Sequence, residues 1–165
     1  GERLITSKSE PVFGGVYKLA AIEDAEGNVI PKIKVSENPS KVTTPHFKKV
    51  WRIFEQESDK AIADLITVYD EPMDETKPLE LFDPDAVWKR ETVERYRAEE
   101  LLRSIFKSGE LVYDLPDIET IRAYCARQIE RQWDEVKRFE NPHNYYVDLS
   151  QKLWDIKYNL LKNNS

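Results

Sequence analysis

Between Lys32 and Arg52, six basic side chains (Lys32, Lys34, Lys41, Lys48, Lys49 and Arg52) meet a single acid, Glu37. The chain as a whole carries a formal charge of −6. A cationic stretch on an anionic body points to an anionic ligand or partner. The plainer reading is a solvated strand whose lysines blunt a sheet edge. Nucleic acid fits poorly, because 31 Asp and Glu residues would repel a polyanion. A small phosphorylated ligand needs only a local field and fits better. The rest of the chemical inventory is sparse. Two His, His46 and His143, and one Cys, Cys125, cannot assemble a zinc site of ordinary spacing. A carboxylate-only Mg2+ site stays open, with no acidic cluster singled out. No nucleophile elbow, CxxC, complete phosphate loop or GxGxxG is present. His46 and His143 read as turn residues. Cys125 falls on an apolar helical stripe and reads as core rather than nucleophile. Gly14-Gly15 reads as a bulge or tight backbone approach, or as backbone pressed against a ligand. No self-contained catalytic constellation is visible.

The elements that must position these residues read as α+β: an antiparallel β-rich part followed by a mainly helical part. The 165 residues, 40% hydrophobic and 34% charged, describe a globular, well-solvated chain of one domain or two small ones. The lone Cys125 excludes an intrachain disulfide and fits a reducing compartment. No apolar run approaches the ~18 residues of a membrane helix. Residues 1–70 read as β-rich. A hairpin turns at 24–28 between an apolar run over 12–22 and a strand over 29–35. Further strands are predicted over 49–54 and 61–69, with a turn at 57–60. Residues 70–84 carry three Pro and six acids, and 71–84 reads as a linker. Within 85–165 the pattern predicts a short strand over 92–97, a helix over 99–106 stopped at Gly109, and a short strand over 111–113. A long helix follows over 116–139, with the stripe Ile118, Ile121, Cys125, Ile129, Trp133, Val136 and Phe139. A second helix over 149–162, capped by Asp148 with Gln151, is expected to pack against the first as an antiparallel hairpin.

Several segments resemble, in order, the C-terminal half of bacterial nicotinate phosphoribosyltransferases: Gly1 to Thr6, Gly14-Gly15-Val16-Tyr17-Lys18-Leu19, Lys32 to Ser36, the 60–66 segment KAIADLI, DLPDIETIRAY and NPHNYYVDLSQKL. The resemblance implies a type II phosphoribosyltransferase, an irregular α/β barrel attached to an α/β sandwich domain, cytoplasmic and commonly a homodimer. The implied activity condenses nicotinate with phosphoribosyl pyrophosphate to nicotinate mononucleotide and pyrophosphate, coupled to ATP through a phosphohistidine, with Mg2+. Residues 1–70 would complete the sandwich sheet and 85–165 would brace it. The family's phosphate-binding glycine loop overlaps this chain only at Gly1 and Glu2. Glu2 stands where many members have Thr, and its carboxylate would repel phosphate. The phosphorylated His, the nicotinate-holding Tyr and Arg and most phosphate ligands lie upstream of the match. The expectation is therefore a C-terminal fragment that is inactive alone. The competing expectation is a stand-alone α+β module that docks an anionic partner, without nucleic acid or membrane, through the basic 32–52 surface.

Overall fold

Two stretches rich in apolar and β-branched residues, Lys48–Glu55 and Ala61–Val68, form the central hairpin of the molecule. The computed structural model describes residues 15–38 and 41–163. Before the central pair, β1 (Ala21–Glu23) and β2 (Val29–Pro31) form a small antiparallel hairpin. The Asp24 carboxylate closes its turn by accepting from the Glu26 and Asn28 amides, and Gly27 takes the left-handed φ of +84° that the turn requires. The strand expected to 35 stops at Pro31.

The main sheet has the order β10-β4-β3-β7. Its members are β3 (Lys48–Glu55), β4 (Ala61–Val68), β7 (Tyr96–Glu100) and β10 (Tyr146–Leu149). The β3–β4 and β3–β7 pairs are antiparallel, and β10 joins the edge of β4 in parallel. Along β4 burial follows a period of two, with Ala61, Ala63, Leu65 and Thr67 buried and Ile62, Asp64 and Ile66 half-buried. Ile53, Ala63, Leu65, Leu81 and Tyr96 form one packed cluster. The strands β5 (Leu79–Phe82) and β6 (Arg90–Val93) make a hairpin that supplies part of it. The 71–84 segment expected as a linker thus carries a strand and two buried side chains, Leu81 and Phe82.

The helical expectations need correction in four places. No helix covers 99–106. Glu99 and Glu100 instead lie on β7, opposite Arg52 and Trp51, so pairing with β3 overrides helix propensity. Beyond it β8 (Phe106–Lys107) and β9 (Glu110–Leu111) form a tight hairpin. Its two central residues, Ser108 and Gly109, both have positive φ, as a type I′ turn demands. Gly109 therefore serves a hairpin rather than a helix end. The long helix is shorter than expected: α1 (Ile118–Glu130) ends before a break, and α2 (Asp134–Lys137) is a single turn. Asp117 caps α1 by accepting from the Thr120 amide at 2.7 Å. Finally, α3 (Gln151–Asn163) begins two residues late, because Tyr146–Leu149 is strand and places Asp148 in the sheet. Ser150 replaces Asp148 as the cap, its hydroxyl accepting from the Leu153 amide at 3.2 Å. Leu153 is fully buried against Val68 and Leu149. The helix α3 packs on β4, whereas α1 buries no residue, so the expected helical hairpin is not the packing unit.

Candidate functional site

The cations of the 32–52 stretch are largely committed within the chain. The Lys48 ammonium donates to the carbonyls of Thr44 at 2.8 Å, Pro45 at 3.3 Å and His46 at 2.7 Å. It is a staple for the loop entering β3, and burial lowers its pKa. Lys49 lies over the rings of Trp51 and Tyr69, 5.6 and 4.9 Å from their centroids. Arg52 makes a two-pronged pair with Asp64 at 2.8 and 3.0 Å. It also reaches Gln128 of α1 at 3.4 Å, while the Tyr145 hydroxyl donates to the same Asp64 at 2.9 Å. The bond to Asp64 raises the Arg52 pKa, and burial raises that of Tyr145. Lys32, Lys34 and Lys41 remain toward the surface. A continuous cationic face for an anionic partner is therefore not what these residues build.

The other sequence candidates also resolve into structural roles. His46 takes a φ of +80°, its amide donates to Ala20 O at 2.8 Å, and its Nδ1 faces the Phe47 amide at 3.0 Å. The His143 amide donates to Glu135 O at 2.9 Å, and the side chain is exposed. Among the described residues neither imidazole is paired with a nucleophile. Cys125, expected in the core, is exposed, because no element among the described residues covers its helical stripe. A Cβ placed on Gly15 would meet nothing within 4 Å, so no close approach explains that glycine. Gly1, Glu2 and Gly14 lie outside the described residues. Among the described residues no group of three or more His, Cys, Asp or Glu side chains could hold a metal ion, and no helix is long and apolar enough to cross a membrane.

Three arrangements went unread in the sequence. Phe54, fully buried, is flanked by two guanidinium groups, Arg131 at 3.6 Å and Arg97 at 4.4 Å from its ring centroid. Asp59 and Glu99 pair with both arginines. Lys60 donates to the carbonyls of Glu130 at 2.7 Å and Gln132 at 3.3 Å, placing positive charge at the negative end of α1. These contacts moor the C-terminal end of α1 to the β3–β4 turn. Asp148, the expected cap, is buried in β10 beside a cavity between the sheet and the β5–β6 hairpin. Burial, then Asp83 and Glu91, pushes its carboxyl up to about 6. A further signal was available: the run Tyr145-Tyr146-Val147 before Asp148 has strand composition. The third arrangement is an apolar surface. Ile118, Ile121 and Ile129 of α1 are exposed, as are Phe106, Leu111 and Val112 of the hairpin before it, and so are Val16, Tyr17 and Leu19. Contiguous apolar exposure of this kind is the signature of an interaction surface.

No described cluster pairs a nucleophile with a base or converges donors on a reacting atom; the arrangement offers braces and docking faces. The profile of the family described as nicotinate phosphoribosyltransferase C-terminal domain matches residues 47–157. A nicotinate phosphoribosyltransferase of Bacillus subtilis is 40% identical over 157 residues, 95% of this chain and 32% of its own length. The human enzyme is 30% identical over 154 residues, 93% of this chain and 27% of its own. The crystal structure of human nicotinic acid phosphoribosyltransferase superposes with a TM-score of 0.65 at 25% identity, covering 71% of this chain and 23% of that one. The chain spans less than a third of the length of these relatives, and it belongs to the nicotinate phosphoribosyltransferase family, whose C-terminal domain residues 47–157 represent.

Proposed function

We propose that this chain is the bracing C-terminal part of an enzyme that condenses nicotinate with phosphoribosyl pyrophosphate, giving nicotinate mononucleotide and pyrophosphate for NAD biosynthesis. The observation that carries the reading is the 40% identity sustained over 95% of the chain. The single Cys125 suits a cytoplasmic enzyme. In this reading the reaction is coupled to ATP, needs Mg2+, and takes place in a homodimer whose larger part is an irregular α/β barrel. The described residues do not fit a Mg2+ site of their own, since no three candidate ligands converge. No chemical step is therefore assigned to them. Gly1 and Glu2 are the positions where backbone could touch a phosphate.

What the described residues contribute is scaffold. The β3–β4 hairpin, stiffened by Arg52–Asp64, carries α1 by its C-terminal end. The exposed apolar faces of α1, the β8–β9 hairpin and residues 16–19 are where the rest of the enzyme packs. Burying them would stabilise that contact by roughly 25 cal/mol for each Å2 of apolar area removed from water. The test is an assay of nicotinate, phosphoribosyl pyrophosphate and ATP with the full natural chain and, in parallel, with residues 1–165 alone. Mononucleotide formation by the former and none by the latter is expected. Turnover by 1–165 would overturn the scaffold role, and no turnover by the full natural chain would overturn the enzyme reading.

A further inference from the structure

The break between α1 and α2 has no cause in the local sequence. Residues 118–139 contain neither Pro nor Gly, where sharp helix interruptions usually fall. At about 100° per residue, the apolar side chains Ile118, Ile121, Cys125, Ile129, Trp133, Val136 and Phe139 share one arc roughly 120° wide, with no change of phase across the break. The chain nonetheless leaves the helix before Trp133, which takes a φ of −64° and a ψ of 146°. The interruption leaves defects. Trp133 gives α2 no side-chain cap. The amides of Trp133, Asp134 and Glu135 donate to no acceptor among the described residues. Arg131 Nε and Gln132 Oε1 are buried beside the break, also without partners among the described residues. Native folds leave few such groups.

What holds the break open is the start of β4. In an unbroken helix the carbonyls of Glu130, Arg131 and Gln132 accept from the amides of Asp134, Glu135 and Val136. Here the Lys60 ammonium takes the first and third, at 2.7 and 3.3 Å, and the Ala61 amide takes the second at 2.8 Å. All three acceptors are thus occupied from the β3–β4 turn, and groups inserted into the ladder interrupt a helix without Pro or Gly. Against this stands the apolar arc, on which Ile118 is 71% and Phe139 100% exposed. The break divides that arc between helices of 13 and 4 residues. A body packing on it buries more apolar surface against one straight helix.

We infer that α1 and α2 are two halves of one helix, latched open by Lys60 and Ala61, and that the helix closes over residues 118–139 when the natural chain outside residues 1–165 covers its apolar arc. That occupant rests on the scaffold reading and on this chain spanning less than a third of its relatives' length. The latch rests on the geometry alone. Closure transfers the carbonyls of Glu130, Arg131 and Gln132 from Lys60 and Ala61 to the amides one turn on. Docking on α1 is therefore felt at the turn between β3 and β4.

Asp134→Pro separates the two states. Asp134 opens α2 with a side chain 90% exposed, and Trp133 before it already has the extended backbone that a following Pro requires. The substitution fits the broken form. In the continuous form it removes the bond to Glu130 and clashes with the preceding turn, shifting the balance about 100-fold toward the break. Asp134→Ala, which keeps the amide, is the control. In the full natural chain, amide exchange at Trp133 and Glu135 is followed by mass spectrometry with residue-level fragmentation, and alkylation of Cys125 by iodoacetamide reports whether the arc is covered. Protection of Cys125 is expected in the wild type. Both amides should exchange slowly in the wild type and Asp134→Ala, and at least about tenfold faster in Asp134→Pro. Lys60→Met, which frees two of the carbonyls, should keep or deepen that protection, and a loss of protection there would overturn the latch. Fast exchange in the wild type with Cys125 protected overturns closure and leaves the docking intact. Slow exchange that survives Asp134→Pro overturns closure as well. A Cys125 that reacts like a small free thiol overturns the docking and the closure together.

Discussion

Residues 48–100 and 101–130 contain comparable mixtures of apolar and charged side chains, yet they solve the problem of burial in opposite ways. In the first region Ile53, Phe54, Leu65 and Leu81 are buried at 3% exposure or less, and the deep cations face acids or aromatic rings. In the second, Leu102, Phe106, Leu111, Val112, Ile118, Ile121 and Ile129 are 51–71% exposed. The helix α1 is held by polar contacts at its C-terminal end, through Lys60 and Arg131, and not by its apolar stripe. The difference teaches that hydrophobic periodicity specifies a face, while the identity of what covers the face is a separate matter. The first region makes its own core, and the second presents one half of a core.

That contrast breaks most easily at its buried end. Leu153→Ala empties a fully buried site between α3 and β4 and should destabilise the chain by about 3 kcal/mol, read as the shift in a urea unfolding midpoint. Asp64→Asn comes next. It leaves Arg52 and Tyr145, both partly buried, without the carboxylate they share, at a cost of about 3 kcal/mol. The fully solvated pair Arg122–Glu119 on α1, with both side chains 73% exposed, provides the control. Glu119→Gln should change the midpoint negligibly. Equal losses from the two substitutions would erase the distinction between the regions.

Asp148 sharpens the comparison through pH. Its carboxyl is raised from 3.8 to about 6, by burial and then by Asp83 and Glu91. Below pH ~4 the group is protonated in both folded and unfolded chains and costs nothing. As pH rises toward 6 the unfolded chain releases the proton that the folded chain retains, so stability falls, and well above 6 the full penalty of about 3 kcal/mol is present. Asp148→Asn removes the penalty. The variant should be more stable than the wild type at pH 8 by about 3 kcal/mol and equal to it at pH 3.5. Urea midpoints at the two pH values decide the matter, and a gain that persists at pH 3.5 would remove the titration as its cause.

Much of the central fold is legible in the residues. Apolar, strand-forming residues over 49–54 and 61–69 with a turn at 57–60 between them predict β3 and β4, and the register of that pair sets Arg52 opposite Asp64. The Asp24–Asn28 turn is legible from Asp, Gly and Asn at their usual places. Short strands after residue 96 are less so. Glu99 and Glu100 look helical alone, and only the neighbouring β3 makes them strand. Asp148 shows the same limit at the candidate site. Its position before a helix suggests a cap, but the parallel partner β4 draws residues 146–149 into the sheet and leaves Ser150 to cap. The basic 32–52 stretch misleads for a related reason. Composition counts charges, whereas only the three-dimensional arrangement shows that Lys48, Lys49 and Arg52 point at carbonyls, rings and a carboxylate.

The smallest effect tests the other side of the comparison. Ile121 lies on the stripe of α1 and is 52% exposed, so in residues 1–165 its side chain has few contacts to lose. Ile121→Ser should move the unfolding midpoint by less than about 0.5 kcal/mol, the usual range for a surface change. In the full natural chain the proposed docking would bury the same side chain, and the identical substitution should then cost about 2 kcal/mol. The quantity of interest is therefore the difference between the two chains, measured with one variant under one set of conditions. A large loss in 1–165 would show that α1 is already packed. An equally small loss in the full chain would show that the stripe faces solvent there too, and the two regions would then differ in packing but not in purpose.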